Sequence, residues 1–180
     1  DGKQIVSPLA NPFMPYDQLG LHNVSGGWYH VSDDGHIDFL GERTIARWYT
    51  MYGTITQSRD WLPDEIGGVV WLAQDNIATS IYIPIYCGVT DLPESYKTPG
   101  RTNGYTRESA WWAFNRLGTL TAQRWGDMRH DVDAVWIPWQ TKLFEAQDDF
   151  EKKALAIKKE KTRIEFLTKY TGENGDAVVK

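Results

Sequence analysis

The sequence predicts an α+β fold in which a mainly antiparallel sheet precedes two or three helices. Three observations lead to this prediction. Short β-prone runs separated by turn residues fill the first half, helical periodicity fills the second, and 180 residues suffice for one domain. Strands followed by helices in one chain are typical of helices packed on an antiparallel sheet. We therefore divide the chain into an irregular arm at 1–27, an α+β portion at 28–171 and a frayed tail at 172–180.

The strand segments come first and are joined by short turns. Residues 28–32 and 36–40 flank Asp33-Asp34-Gly35, and Asp-Gly between such runs predicts a hairpin because glycine accepts a positive φ. In the last strand segment Pro84 lacks a backbone N–H, which predicts an edge position or a bulge there. The further predicted strands are 43–50, 54–58, 68–73 and 79–86.

The helical half follows the last strand. Thr106 is the predicted N-cap of a buried helix over 107–129, which no proline interrupts. A second helical region is predicted over 131–170, and Pro138 either starts it or kinks it. Four charged residues at 158–161 interrupt its apolar stripe and predict a break. The stripe consists of Trp139, Leu143, Ala146, Phe150, Ala154 and Ile157.

Composition argues against several classes of partner. The chain carries 19 basic and 24 acidic residues, a net charge of −5, without a Lys/Arg block, so nucleic acid and anionic membranes are not expected partners. No apolar run reaches the length of a membrane span, and no signal segment opens the chain. Nine Trp favour a large aromatic core or an aromatic-lined cleft. The compartment stays open.

The candidate nucleophile and metal ligands each have a structural explanation. Cys87, the single cysteine, ends an apolar run without a papain-like or caspase-like signature, so we prefer to interpret it as a buried core residue. The four histidines lie at no metal-binding spacing, and the acidic residues around His130 fit helix capping. We therefore predict neither a metal, nor another cofactor, nor a catalytic residue within these 180 residues.

Polar side chains at the ends of predicted elements form the candidate substrate-binding set. Arg59 follows one strand, Asp75 and Asn76 follow the next, and Arg107 opens the first helix. An arginine can hold a carboxylate in bidentate geometry, and an asparagine amide can donate to a peptide carbonyl or an oxyanion. The Asp-Asn pair also fits an ordinary turn between strands, and both interpretations stay open.

Four sequence blocks resemble the bacterial dipeptidase family of N-terminal-nucleophile (Ntn) cysteine peptidases. The resemblance covers residues 41–170, matches the C-terminal half of these proteins, and places Asp75 where members carry an acidic residue. It implies part of an αββα sandwich, hydrolysis of dipeptides through a thioester, and no metal. The blocks are Glu-Arg-Thr-Ile at 42–45, Leu-Pro-Asp-Glu-Ile-Gly-Gly-Val-Val-Trp at 62–71, Tyr-Ile-Pro-Ile-Tyr-Cys-Gly-Val-Thr at 82–90 and Glu-Ser-Ala-Trp-Trp-Ala-Phe-Asn-Arg-Leu at 108–117.

The resemblance also implies a nucleophile that these residues do not supply. In the family it is a cysteine at the mature N-terminus, whose own α-amino group is the base, whereas residue 1 here is Asp1 and Cys87 lies in a different block. We therefore expect the C-terminal portion of a dipeptidase, inactive alone, with a dipeptide as substrate. Its expected partner is a missing N-terminal segment or subunit of the same protein, and a homo-oligomer stays open.

A second hypothesis is a non-catalytic, aromatic-rich binding module for a peptide or a carbohydrate. Such a module needs several tryptophans on one exposed face. A peptidase half instead buries most of them, notably Trp71, Trp111 and Trp112.

Overall fold

The structure is a computed structural model that describes residues 29–31, 33–34, 37–39, 46 and 50–179. This part of the chain is α+β, as predicted, with antiparallel strands followed by helices. The predicted arm at 1–27 lies outside the described residues. Within the described part, no helix is both long and apolar enough to cross a bilayer.

Two antiparallel sheets precede the long helices. The first is the predicted hairpin, in which β1 (Tyr29–Val31) pairs with β2 (Ile37–Phe39) across a turn at residues 33–34. The second has the order β3-β4-β5, formed by β3 (Tyr52–Ser58), β4 (Gly68–Gln74) and β5 (Ile83–Tyr86). The helices are α1 (Asp64–Gly67), α2 (Glu94–Lys97), α3 (Ala110–Gln123), α4 (Trp125–Ala156) and α5 (Glu160–Ala177).

The two faces of the larger sheet differ in how well they are covered. On one face Trp71 of β4 is buried, donates its indole N–H to Gln57 (2.9 Å) and meets Phe144 of α4 edge-on at 4.8 Å. On the other face, Thr54 and Thr56 of β3 are exposed. Most of the core therefore lies between the sheet and the helices of its first face, although Ile83 of β5, opposite Leu72 on the second face, is also fully buried.

Helix α5 packs against β5 and completes the core. Its Leu167 is fully buried, and Tyr170 stacks on Phe150 of α4 with 3.7 Å between ring centroids. The Thr171 hydroxyl donates to the carbonyl of Pro84 at 3.0 Å. Pro84 thus lies on an edge strand of the described sheet, as predicted. A proline is tolerated there because the described sheet has no further strand on that side to accept a backbone N–H.

Strand β5 is shorter than the predicted strand over 79–86. The backbone N–H and the hydroxyl of Thr79 both donate to the carbonyl of Asn76, at 3.0 and 3.2 Å, and close a turn before the strand. The strands predicted at 54–58 and 68–73 are confirmed. Most of the strand predicted at 43–50 lies outside the described residues.

The bounds predicted for the first long helix were wrong at both ends. Helix α3 begins after Ser109, and the Thr106 hydroxyl instead accepts the N–H of Glu108 (3.3 Å) in a local turn. The helix ends at Gln123 because Arg124, at φ −143° and ψ 59°, leaves the helical conformation.

Helix α4 runs through Pro138, which neither starts nor ends it. The proline removes the hydrogen bond to the carbonyl of Ala134, and both residues are exposed, so water can satisfy that carbonyl. The predicted apolar stripe is confirmed, with Leu143, Phe150 and Ala154 buried.

The break predicted near 158–161 is confirmed, because Ile157 to Lys159 separate α4 from α5. The predicted frayed tail needs correction for residues 172–177, which continue α5. Gly175 is buried there, and a Cβ on it would lie 2.9 Å from Pro93 and 3.3 Å from Tyr96. This close packing against the segment around α2 holds the last turn in place.

Candidate functional site

Asp75 is a buried carboxylate at the end of β4. It is 3% exposed and adopts φ 57°, the one positive φ among the described non-glycine residues. Its backbone N–H donates to the carbonyl of Met51 (2.9 Å), which also accepts the indole N–H of Trp111 (3.0 Å). The turn after β4 is thus tied to both β3 and α3. Asp and Asn tolerate this backbone region better than other side chains, which explains the residue type.

Asn115 of α3 positions the Asp75 side chain. Its amide nitrogen donates to Asp75 Oδ1 at 3.0 Å, and α3 approaches closely because position 118 is glycine. A Cβ on Gly118 would lie 2.9 Å from Thr79 Oγ1 and 3.3 Å from Asp75 Oδ2. The other donor hydrogen and the carbonyl oxygen of the half-buried Asn115 amide have no partner within residues 50–179.

Asn76 forms the turn that the sequence suggested. Its side-chain oxygen accepts the N–H of Ala78 (3.0 Å), so the amide nitrogen is left without a partner among the described groups. The turn interpretation of the Asp-Asn pair is therefore confirmed, and it also places two oriented side-chain amides, those of Asn76 and Asn115, around one buried carboxylate.

The buried position changes the acidity of Asp75. Burial raises the pKa of this carboxyl above its ordinary value, and hydrogen bonds from Asn115 and the Asn76 backbone oppose that rise. The described residues place no arginine or lysine in an ion pair with Asp75. Amide groups, rather than a cation, therefore stabilise the Asp75 carboxylate.

Arg59 does not join this cluster. Ser58 of β3 lies opposite Gly68 and Tyr52 lies opposite Gln74, so Arg59 and Asp75 lie at opposite ends of the sheet, about 20 Å apart. The Arg59 guanidinium pairs with Glu151 of α4 at 2.7 Å, and both side chains are largely buried.

The Arg59 pair belongs to a structural network. The guanidinium also donates to the carbonyls of Ile66 (3.0 Å) and Gly67 (3.3 Å), while Tyr86 donates its hydroxyl to Glu151 (3.0 Å). Burial, and then the Glu151 carboxylate, raise the pKa of Tyr86 far above its ordinary value. These contacts tie the strand ends to α4.

Arg107 lies apart from both the Asp75 cluster and the Arg59 network. It is exposed, precedes α3, and lines a separate pocket with Arg116 and Trp112. The structure therefore brings together two of the four predicted substrate-binding residues, Asp75 and Asn76. It separates Arg59 and Arg107 from them.

Asn115 was missed by the sequence argument. It lies within one of the four blocks of the resemblance, in the largely apolar run Ala-Trp-Trp-Ala-Phe-Asn. A single amide in an otherwise apolar run of a helix is a costly residue when buried unless it has a partner, and that pattern could have identified it.

Cys87 is exposed, contrary to the preference for a buried core residue. Its backbone N–H donates to the carbonyl of Gly68, and the thiol lies over that glycine, where a Cβ would be 2.4 Å from the sulfur. Gly68 begins β4 and Asp75 follows it, so the strand separates the thiol from Asp75 by about 20 Å. Within residues 50–179 the thiol is free and makes no hydrogen bond.

The tryptophans do not form an exposed platform within the described residues. Trp71 and Trp125 are buried, whereas Trp61 exposes 74% of its surface. Trp111 and Trp112, which we expected to be buried, are only half-buried. No group of three or more potential metal-ligating His, Cys, Asp or Glu side chains occurs in this part of the chain.

Comparison with protein families assigns the chain to a family. The model of peptidase family C69 matches residues 12–137, more than two thirds of the sequence. The chain belongs to this family of cysteine peptidases. The match includes the β4 end, Asn76 and Asn115, and it stops before Pro138. Comparison with curated proteins gives no relative that matches this chain.

Membership in peptidase family C69 supports peptide-bond hydrolysis as the activity of the whole protein. The matched segment differs from the span of the four-block resemblance, because it begins earlier than residue 41 and ends earlier than residue 170. Most of α4 and all of α5 lie beyond it.

Proposed function

We propose that this chain is the C-terminal portion of a cysteine-type dipeptidase of the Ntn class, in which the polar cluster at the end of β4 supports the substrate. The observation that carries this proposal is the Asp75–Asn115 pair, a buried carboxylate that fixes an amide on the matched segment.

The cluster suits the stabilisation of a carbonyl oxygen. Asp75 accepts one N–H of Asn115, which leaves the second N–H of that amide with a fixed direction. Asn76 is oriented in the same way through its side-chain oxygen. Preorganised amide donors of this kind stabilise the negative charge that develops on a peptide carbonyl during thiolate attack. In this proposal the two asparagines contact the substrate, and Asp75 is a positioning residue.

The nucleophile in this proposal lies outside these residues. Cys87 is about 20 Å from the cluster along β4, so its sulfur cannot attack a carbonyl held there. An N-terminal cysteine of a preceding segment or of a partner subunit would attack instead. Its α-amino group would accept the thiol proton, and water would then hydrolyse the thioester.

The test uses the complete natural gene product with an unmodified dipeptide as substrate. We expect Cys87→Ala to retain hydrolysis within about twofold, and iodoacetamide to abolish hydrolysis by this variant, with the adduct on an N-terminal cysteine. We expect Asn115→Ala to lower kcat about 100-fold, while Gln123→Ala, an exposed amide on the same helix, leaves it unchanged.

Two results would overturn the proposal. One is loss of activity in a folded Cys87→Ala protein, which would make this thiol the nucleophile. The other is no dipeptide hydrolysis by the natural product under reducing conditions.

A further inference from the structure

A polar pocket lies beside α3, apart from the Asp75 cluster. It has a volume of about 370 Å³ and contains no carboxylate among its lining residues. It is formed by Tyr105, Thr106, Arg107, Trp112, Ala113 and Arg116.

Of the seven described arginines, three form no ion pair, and two of those three line this pocket. Four others pair with carboxylates: Arg59 with Glu151, Arg124 with Asp127, Arg129 with Asp133 and Arg163 with Glu65. Arg107 and Arg116 have no ion pair or hydrogen bond within the described part, although acidic residues outnumber basic ones in the chain. Two unpaired guanidinium groups therefore line one concave surface.

Aromatic rings form a fixed wall of the same pocket. Tyr105 and Trp112 pack edge-to-face with ring centroids 5.5 Å apart, and Trp112 packs in the same manner against Trp111 at 4.7 Å. The Trp112 indole N–H donates to the carbonyls of Gly104 (2.7 Å) and Gly100 (3.2 Å), which fixes the ring. Ala113 leaves room beside it because its side chain is a single methyl group.

We propose that this pocket binds a small organic carboxylate whose apolar body lies against Tyr105 and Trp112. The planar guanidinium fork matches the two oxygens of a carboxylate, and the rings offer an apolar surface, since the Trp112 indole N–H is already bonded to two backbone carbonyls. An anion with a hydrocarbon body gains from both surfaces, whereas inorganic phosphate has no apolar part to place against the rings. This inference does not depend on the proposed peptidase activity, because it concerns binding alone.

The test is calorimetric titration of the whole protein with 3-phenylpropionate, with its neutral amide and with inorganic phosphate. We expect 3-phenylpropionate to bind more tightly than phosphate, and the amide not to bind. Arg107→Gln and Arg116→Gln should each weaken binding about tenfold, and Arg107→Lys should restore only part of it. Tyr105→Ala should weaken the binding of 3-phenylpropionate. It should leave unchanged the binding of acetate, a carboxylate without an apolar body to place against the ring.

Arg101→Gln is the matched control, because Arg101 is also exposed and unpaired in the described structure but does not line this pocket. It should leave the affinity unchanged. Unchanged affinity in both pocket variants would overturn the inference, as would equal binding of the neutral amide or of phosphate. Thermal melts of each variant separate loss of binding from loss of fold, and no outcome requires turnover.

Discussion

At the scale of single residues, Asp75 combines three features that each cost free energy: burial, a negative charge and a positive φ. An isolated buried carboxylate is destabilising unless it is hydrogen-bonded, and here two N–H donors supply those bonds. A residue that costs stability and positions a neighbouring amide is typical of a functional site.

The acidity of Asp75 predicts how the stability of the protein depends on pH. Because burial raises the pKa in the folded state, the native protein holds this proton more tightly than the unfolded chain does. The contribution of Asp75 to stability is therefore fully present below the unfolded pKa of about 3.9 and is lost as the pH rises through the folded pKa. Asp75→Asn removes the charge but keeps an acceptor for Asn115. We expect this variant to melt about 2 °C higher at pH 7 and no higher at about pH 3.

Thermal melts at the two pH values check this expectation. Asp149→Asn is the control, because Asp149 is exposed and pairs only with Lys152 on the surface. A less stable Asp75→Asn protein at pH 7 would mean that the hydrogen bonds to the charged carboxylate outweigh the cost of burying it. In the proposed peptidase the same variant should lose activity, because a neutral amide oxygen is a weaker acceptor than a carboxylate and orients the Asn115 amide less firmly.

At the scale of elements, we expect substitution by alanine to change the stability of the protein in opposite directions at two helix glycines. Gly172 lies inside α5 and has open space where a Cβ would lie, whereas a Cβ on Gly118 of α3 would crowd Thr79 and Asp75. We expect Gly172→Ala to stabilise the protein by about 1 kcal/mol, since alanine loses less backbone entropy on folding. Gly118→Ala should destabilise it by about 2 kcal/mol through overpacking.

Urea unfolding of both variants measures the difference. A stabilising Gly118→Ala would mean that α3 can move away from the turn after β4. The Asp75–Asn115 hydrogen bond would then not be held by packing.

The elements differ in how far the sequence could predict them. The hairpin, β3 and β4 are confirmed. Their signals, Asp-Gly and the alternating runs, lie within the elements themselves, so the sequence could predict them. The start of α3 was not predicted correctly, and the Trp111 indole in its first turn bonds the Met51 carbonyl, a contact 60 residues away that no local pattern records. The apolar run around Asn115 indicates a residue that needs a partner, but no local pattern identifies that partner, which lies 40 residues away.

At the scale of the whole molecule, the family match and the structural core have different limits. The match stops at residue 137, yet residues of α4 and α5 beyond it supply buried contacts to the sheet. Phe150 packs against Tyr86 of β5 at 5.4 Å, and Leu167 is fully buried. The segment outside the match is therefore an integral part of the core rather than an appendage.

This continuity predicts a single cooperative unfolding transition. Leu167→Ala should destabilise the protein by about 3 kcal/mol, because it leaves a cavity in the buried contact between α5 and the sheet. Leu155→Ala, the same change at a 37% exposed position of α4, should cost less than about 1 kcal/mol. Urea unfolding is followed by tryptophan fluorescence and by far-ultraviolet circular dichroism.

All nine tryptophans precede residue 140, so fluorescence reports on the part of the chain before α5, whereas circular dichroism includes α5 itself. If the two parts form one cooperative unit, both signals shift together in Leu167→Ala. A fluorescence midpoint that stays in place while the dichroism midpoint falls would mean that α5 unfolds separately. In that case the sheet would owe its stability to other elements, because the buried contacts of Phe150 and Leu167 would not couple the matched segment to the rest of the chain.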